Sequence, residues 1–97
     1  APEVALGWYN LGLMLRRRGD IAAALEAYSR AVELDPNNAA CHQNRAVALL
    51  LGGDIEGSRA AFRTAITLLE TQGRPVDAQA LRTKAQGIVK LDLEPIA

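Results

Sequence analysis

A cysteine and a histidine stand side by side at Cys41-His42, and metal or nucleophilic chemistry would have to begin there. Zinc needs about four ligands, and a thiol nucleophile needs a separate positioned base. Cys41 is the only cysteine of the 97 residues and His42 the only histidine. No second Cys/His cluster exists to complete a site, so a packed, neutral His42 is the better reading. A second chemical feature is the run Arg16-Arg17-Arg18. It could bind phosphate or an acidic peptide, or simply complement the dipole at a helix C-terminus and stay solvated. A third is the pair Asn10 and Asn44. An asparagine amide can serve both a peptide N–H and a C=O, so these two are candidates for recognition.

An enzyme needs acid, base or nucleophile groups converging on a pocket. This sequence has no phosphate-cradling glycine loop and no metal-ligand set, and nothing in it calls for a cofactor. Catalysis is therefore not expected. Eleven basic and eleven acidic side chains balance. A zero formal charge argues against nucleic acid as partner, because that affinity rests mainly on phosphate neutralisation. RNA binding is further disfavoured by the low aromatic content. No apolar run approaches the roughly 20 residues that span a bilayer, and no signal-peptide pattern is present. A lone cysteine forms no internal disulfide, and a cytoplasmic setting is expected. The chain opens Ala1-Pro2-Glu3 without a methionine, as a piece of a longer protein would.

The elements that would position these residues come from a repeat. Sliding the chain by about 34 residues superposes identical residues at nine positions. They are Ala5/Ala39, Asn10/Asn44, Leu15/Leu49, Gly19/Gly53, Asp20/Asp54, Ile21/Ile55, Ala27/Ala61, Ala31/Ala65 and Leu34/Leu68. Gly12/Ala46, Leu13/Val47, Ala24/Ser58, Tyr28/Phe62 and Val32/Ile66 are conservative pairs. Helical spacing of apolar residues predicts five helices, over 4–18, 21–34, 40–51, 55–70 and 76–91. Gly19-Asp20 and Gly52-Gly53-Asp54 end one helix and cap the next; Asp35-Pro36-Asn37-Asn38 breaks the second, with Asn38 as cap. Pro75 suits a first turn. Gly87 weakens the fifth helix, and residues 92–97 are expected to fray or serve as a linker. Each copy is one unit that cannot bury its apolar face alone, so the copies must stack.

Trp8, Leu11, Gly12, Leu15, Gly19, Ala24, Tyr28, Ala31 and Pro36 make residues 5–38 resemble the tetratricopeptide repeat. Residues 39–72 repeat the pattern with Ala46, Leu49, Gly53, Ser58, Phe62 and Ala65. They depart from it at His42, Arg45 and Glu70, where an aromatic, a leucine and a proline are usual. The resemblance implies an all-α fold: a short right-handed α–α solenoid of two helix-turn-helix hairpins plus a C-terminal capping helix, over 75–91, in a single domain. Gly12 and Ala46 are read as close helix approaches, Tyr28 and Phe62 as fillers between successive hairpins, and Trp8 as core.

The same resemblance implies a function. Successive first helices line a concave groove that holds an extended peptide or a helix of another protein. The groove positions carry over to Leu6, Tyr9, Asn10, Leu13, Arg16 and Arg17 on the first helix, and Gln43, Asn44, Val47, Leu50 and Leu51 on the third. The fifth supplies Arg74, Asp77, Leu81 and Lys84. Leu13, Val47, Leu50 and Leu81 would form an apolar strip with cations beside it, suited to apolar anchors and an acidic residue or C-terminus. The lysine/asparagine/arginine clamp with which one family subset grips chaperone tails is poorly matched. Tyr9 and Leu13 stand where lysine and asparagine are expected, and Ala78 replaces the final basic residue. The expected role is an adaptor or scaffold in complex assembly. The alternative is self-association into a homo-oligomer through exposed faces of the end hairpins, near Trp8 and Tyr9.

Overall fold

A computed structural model of the chain describes residues 2–89. Its helices, in chain order, are α1 (Pro2–Arg17), α2 (Ile21–Leu34), α3 (Ala39–Leu51), α4 (Ile55–Thr71) and α5 (Pro75–Val89). No strand occurs among the described residues. The fold is all-α and stacks as a helical solenoid. The expectation for residues 92–97, and for the last two residues of the fifth helix, lies outside the described residues.

The boundaries follow from local chemistry. Asp20 accepts a hydrogen bond from the Ala23 N–H at 3.3 Å, and Asp54 from the Gly57 N–H at 2.8 Å. Asn38 accepts from the amides of Ala40 and Cys41. Each satisfies first-turn donors that the helix cannot pair internally. Gly19, Gly53 and Gly73 hold φ of 85°, 90° and 71°, the left-handed region that a side chain would strain. At each of these turns the glycine N–H and the next N–H reach back to carbonyls of the preceding helix.

α1 packs on α2 and α3 on α4 as two hairpins, α2 packs on α3, and α5 lies on α4. Tyr28 and Phe62 are completely buried at equivalent places. Tyr28 packs with Ala24 and Ala48, with Tyr9, Leu13, Leu15 and Leu25 around it. Phe62 sits in the larger cluster that joins α3, α4 and α5 through Ala46, Ile66, Leu69, Ala78 and Leu81. Gly12 is required by this packing: a Cβ there would lie 2.6 Å from Cε1 of the Tyr28 ring. In the second hairpin Ala46 takes its place, and the Ser58 hydroxyl donates to the Ala46 carbonyl at 2.7 Å.

One expectation needs correction. Trp8 is only half-buried, with the Arg30 guanidinium 6.0 Å from its ring centre. It lies at the open end of the stack, where no preceding helix covers it among the described residues. α4 ends within one residue of the expected boundary, and its length follows from its sequence. With Glu70 where α2 is followed by Pro36, nothing stops the helix, and α4 runs 17 residues against 14 for α2. The chain then leaves through Gln72-Gly73, a glycine turn like those inside the hairpins. This delays α5 and changes its register, so that Ala78, Leu81, Ala85 and Val89 face inward. Arg82, at the middle of α5, reaches Glu70 near the end of α4 at 2.9 Å, and Arg59 near the start of α4 reaches the Val89 carbonyl at 2.9 Å, holding α5 antiparallel to α4.

Candidate functional site

α1 and α3 stand side by side and are joined by one hydrogen bond of consequence. The Asn44 Nδ2 donates to the Tyr9 hydroxyl at 2.9 Å and to the Ala40 carbonyl, also at 2.9 Å. Tyr9 in turn leans on Tyr28, the ring centres 6.1 Å apart. Burial pushes the Tyr9 hydroxyl above the usual tyrosine range, and the nearby Cys41 and Tyr28 add to this while the Arg16 guanidinium opposes it. Tyr9 therefore keeps its proton at neutral pH. With Asn44 Nδ2 spent inside the protein, the pair presents the Tyr9 O–H as a donor and the Asn44 Oδ1 as an acceptor.

Around this pair lie Leu13, Val47 and Leu50, all half-buried and packed on the core by one side only. Asn10, Leu6 and Arg17 are exposed on α1, and Leu51 is exposed at the end of α3. Asn10 makes no side-chain hydrogen bond among the described residues, so the two repeat-equivalent asparagines differ: one is a structural bridge, the other is unengaged. Arg16 is half-buried, and its Nε has no partner within the described residues.

A cleft of about 540 Å³ opens between the α2–α3 loop with the start of α3 and the first turns of α5. Its walls include five expected groove residues, Gln43, Arg74, Asp77, Leu81 and Lys84. Leu81 corrects the expectation: at 4% exposure it packs into the core and offers only an edge to the cleft. The register change of α5 turned it inward. Arg74 is paired with Asp77 at 2.9 Å, an exposed ion pair that a stronger anion can compete for. Lys84 is exposed. Asp35, Asn37 and Asn38 also line the cleft, and the sequence reading missed them. Their signal was there, since a polar turn joining α2 to α3 has to border whatever lies at the N-terminal end of α3. Gln72 braces this edge by donating to the Asn37 carbonyl at 2.7 Å.

Cys41 and His42 are both buried. The His42 Nε2–H donates to the Pro36 carbonyl at 2.8 Å, which makes it a packing residue that ties α3 to the loop before it. Burial, with Asp35 assisting, pushes the Cys41 thiol above its ordinary range, away from the thiolate that a nucleophile or metal ligand requires. Among the described residues no group of three or more His, Cys, Asp or Glu side chains could hold a metal ion. No helix among them is long and apolar enough to cross a membrane.

A stack of helical hairpins with a half-buried apolar inner wall and a polar cleft at its edge defines a repeat-type interaction module. Comparison with known families agrees: two profiles, each described as tetratricopeptide repeat, match residues 5–38 and 27–80. The chain belongs to the tetratricopeptide repeat family, whose repeats mediate protein–protein interaction. Similar proteins include tetratricopeptide repeat protein 36 of Mus musculus, 36% identical over 65% of this chain and 34% of that protein. A TPR repeat-containing protein of Synechococcus elongatus is 43% identical over 60% of this chain and 14% of its own length. Protein FlbA of Caulobacter vibrioides is 33% identical over 78% of this chain and 12% of its own length. The chain thus spans about a third or less of the relatives it matches.

Proposed function

We propose that this module is an adaptor or scaffold for complex assembly in the cytoplasm, and that it holds a short segment of a partner protein along the α1/α3 wall. The observation that carries this is the Tyr9–Asn44 pair set among half-buried Leu13, Val47 and Leu50. It offers one donor and one acceptor side by side, as a peptide unit requires, flanked by apolar surface for alternate side chains. The neighbouring cleft, with Gln43, Arg74 and Lys84, suits an acidic residue or C-terminus of the same segment. Arg16 and Arg17 supply further cations at the far end of α1. A single buried cysteine is at home in a reducing compartment.

The test is an amide-shift titration of the labelled protein with peptides carrying two apolar anchors and an acidic C-terminus. Shifts are expected at Tyr9, Leu13, Asn44 and Val47, extending to Gln43, Arg74 and Lys84. Leu13→Glu is expected to abolish them while leaving the helical circular dichroism unchanged. Shifts confined to α2 and α4 would rule the groove out.

A further inference from the structure

One stretch of α1 holds two buried donors that nothing in the described chain satisfies. Tyr9, Gly12 and Arg16 follow one another at spacings of three and four, which places them on one face of the helix. The Tyr28 ring crosses α1 at Gly12, where its Cζ, the carbon that bears the hydroxyl, lies 3.0 Å from the place of an added Cβ. Tyr28 is fully buried, and its hydroxyl has no hydrogen-bond partner among the described residues. The Arg16 Nε is buried and unpartnered in the same way, and its guanidinium makes no ion pair with a described residue. The Arg82 Nε is also unpaired, but that guanidinium is already spent on Gln79 and Glu70. Tyr9 adjoins both donors: its ring leans on Tyr28, and its hydroxyl feels the charge of Arg16 and of no carboxylate. The second hairpin has none of this. The positions equivalent to Tyr9, Arg16 and Tyr28, 34 residues on, are Gln43, Leu50 and Phe62. Phe62 is as buried as Tyr28, so the filler needs no hydroxyl to pack. Two unpaired buried donors cost stability, and a ligand that accepts from both recovers that cost.

We propose that this stretch of the α1/α3 wall is an oxyanion subsite, and that it takes one side-chain carboxylate of the partner segment through the Arg16 guanidinium and the Tyr28 hydroxyl. Both are donors, a carboxylate is an acceptor only, and the guanidinium neutralises its single charge. The surroundings favour a monoanion. Leu13, Leu25 and Ala48 make the floor apolar, and a dianion such as phosphate would keep one charge unpaired there. Arg16 is half-buried and forms the solvent side of the subsite; the Tyr28 hydroxyl lies beneath, so the carboxylate enters as the Arg16 side chain shifts. The Tyr9–Asn44 pair is left for the backbone of the segment. The cleft with Arg74 and Lys84 lies on the α5 side of α3 and is a separate place. The identity of the occupant rests on the groove reading, and the subsite adds to that segment an internal acid besides the one the cleft suits.

Two titrations of the isotope-labelled chain separate the subsite from the groove. In the first, acetate replaces chloride at constant ionic strength while the Arg16 Nε–H and the amides of Tyr9, Gly12 and Tyr28 are followed. A saturable shift is expected. Tyr28→Phe should weaken acetate about tenfold without loss of helicity, and Arg16→Gln should abolish the response. The second uses peptides with two apolar anchors and an amidated C-terminus, carrying glutamate or glutamine at each position between the anchors in turn. At one position the glutamate peptide should bind about tenfold more tightly than its glutamine counterpart. That preference should shrink severalfold in Tyr28→Phe and vanish in Arg16→Gln, with the glutamine peptide unaffected by either change. No saturable acetate shift, an acetate affinity indifferent to Tyr28→Phe, or equal binding of glutamate and glutamine at every position would overturn the subsite. The groove reading would still stand if those peptides shifted Leu13 and Val47. Saturable acetate with no peptide bound would overturn the groove, and with it the assigned occupant.

Discussion

The two hairpins share a backbone and differ in what fills it. In the first, Gly12 lies under the ring of Tyr28; in the second, Ala46 and Ser58 sit above and below the same kind of crossing, with Phe62 as the filler. The first hairpin solves the close approach by removing a side chain, the second by spending a hydroxyl on a carbonyl. The same trade appears at the caps: Gly57 lets the Asp54 carboxylate come to 2.8 Å, where Ala23 holds Asp20 at 3.3 Å. The difference also reaches the surface. The α3 face that α2 covers buries Ala48 and gives Arg45 the Ser29 hydroxyl as a partner, while at the equivalent α1 positions Leu11 and Met14 are exposed among the described residues. Equivalent positions in a repeat thus keep their geometry and exchange their chemistry according to what lies against them.

Substitutions at the paired positions break this comparison in graded steps. Tyr28→Ala should cost about 3–5 kcal/mol, and Phe62→Ala a similar amount, by loss of a fully buried ring. Urea titration reads both; a loss much smaller at Phe62 than at Tyr28 would show that the second hairpin leans on α5 rather than on its own filler. Gly12→Ala should destabilise by about 1–3 kcal/mol because the methyl meets the Tyr28 ring and the core must shift. Ser58→Ala comes next, at about 1–2 kcal/mol, since it removes a buried hydrogen bond whose acceptor stays buried. The smallest change is Tyr28→Phe. The Tyr28 hydroxyl is buried with no partner among the described residues, and phenylalanine already serves at the equivalent place. Stability should fall by less than about 0.5 kcal/mol or rise, because deleting an unpaired buried hydroxyl relieves its desolvation. A loss above about 1 kcal/mol would mean that the hydroxyl is hydrogen-bonded to a buried water.

The junction between the hairpins adds a pH dependence. Both Tyr9 and Cys41 titrate above their ordinary values in the folded protein, chiefly because burial disfavours the charged form. Their contribution is present in full below the unfolded values, about 9 for Cys41 and about 10 for Tyr9. It is lost as pH rises through the higher folded values. Stability to urea should therefore decline above about pH 9, and Tyr9→Phe with Cys41→Ala should flatten the decline. An equally steep loss in that double variant would place the sensitive group elsewhere.

Much of the fold was legible because it is local. The positive-φ glycines, the Asp and Asn caps and the 34-residue spacing each act within a few residues or repeat along the chain, so the helices α1 to α4 were set within about a turn. The inner wall came from elsewhere: the resemblance to the repeat family carries Tyr9, Leu13, Asn44 and Val47 over as groove positions, and the structure sets them on the neighbouring helices α1 and α3. The site was less legible where its outcome depended on partners distant in sequence. Asn44 was read as an open amide, but its nitrogen is held by Tyr9, 35 residues away. Leu81 was read as groove surface, but its burial depends on how α5 meets α4.

The chain's own residues thus specified the repeat, the helices, the turns and the aromatic filler of each hairpin, because propensity, capping and periodic burial are near-neighbour effects. Tertiary packing alone decided the register of α5 after an uninterrupted α4, the engagement of Asn44, and the exposure of Trp8 and Leu11. Those outcomes turn on which surfaces find a neighbour, and a residue's type does not say whether its neighbour is present.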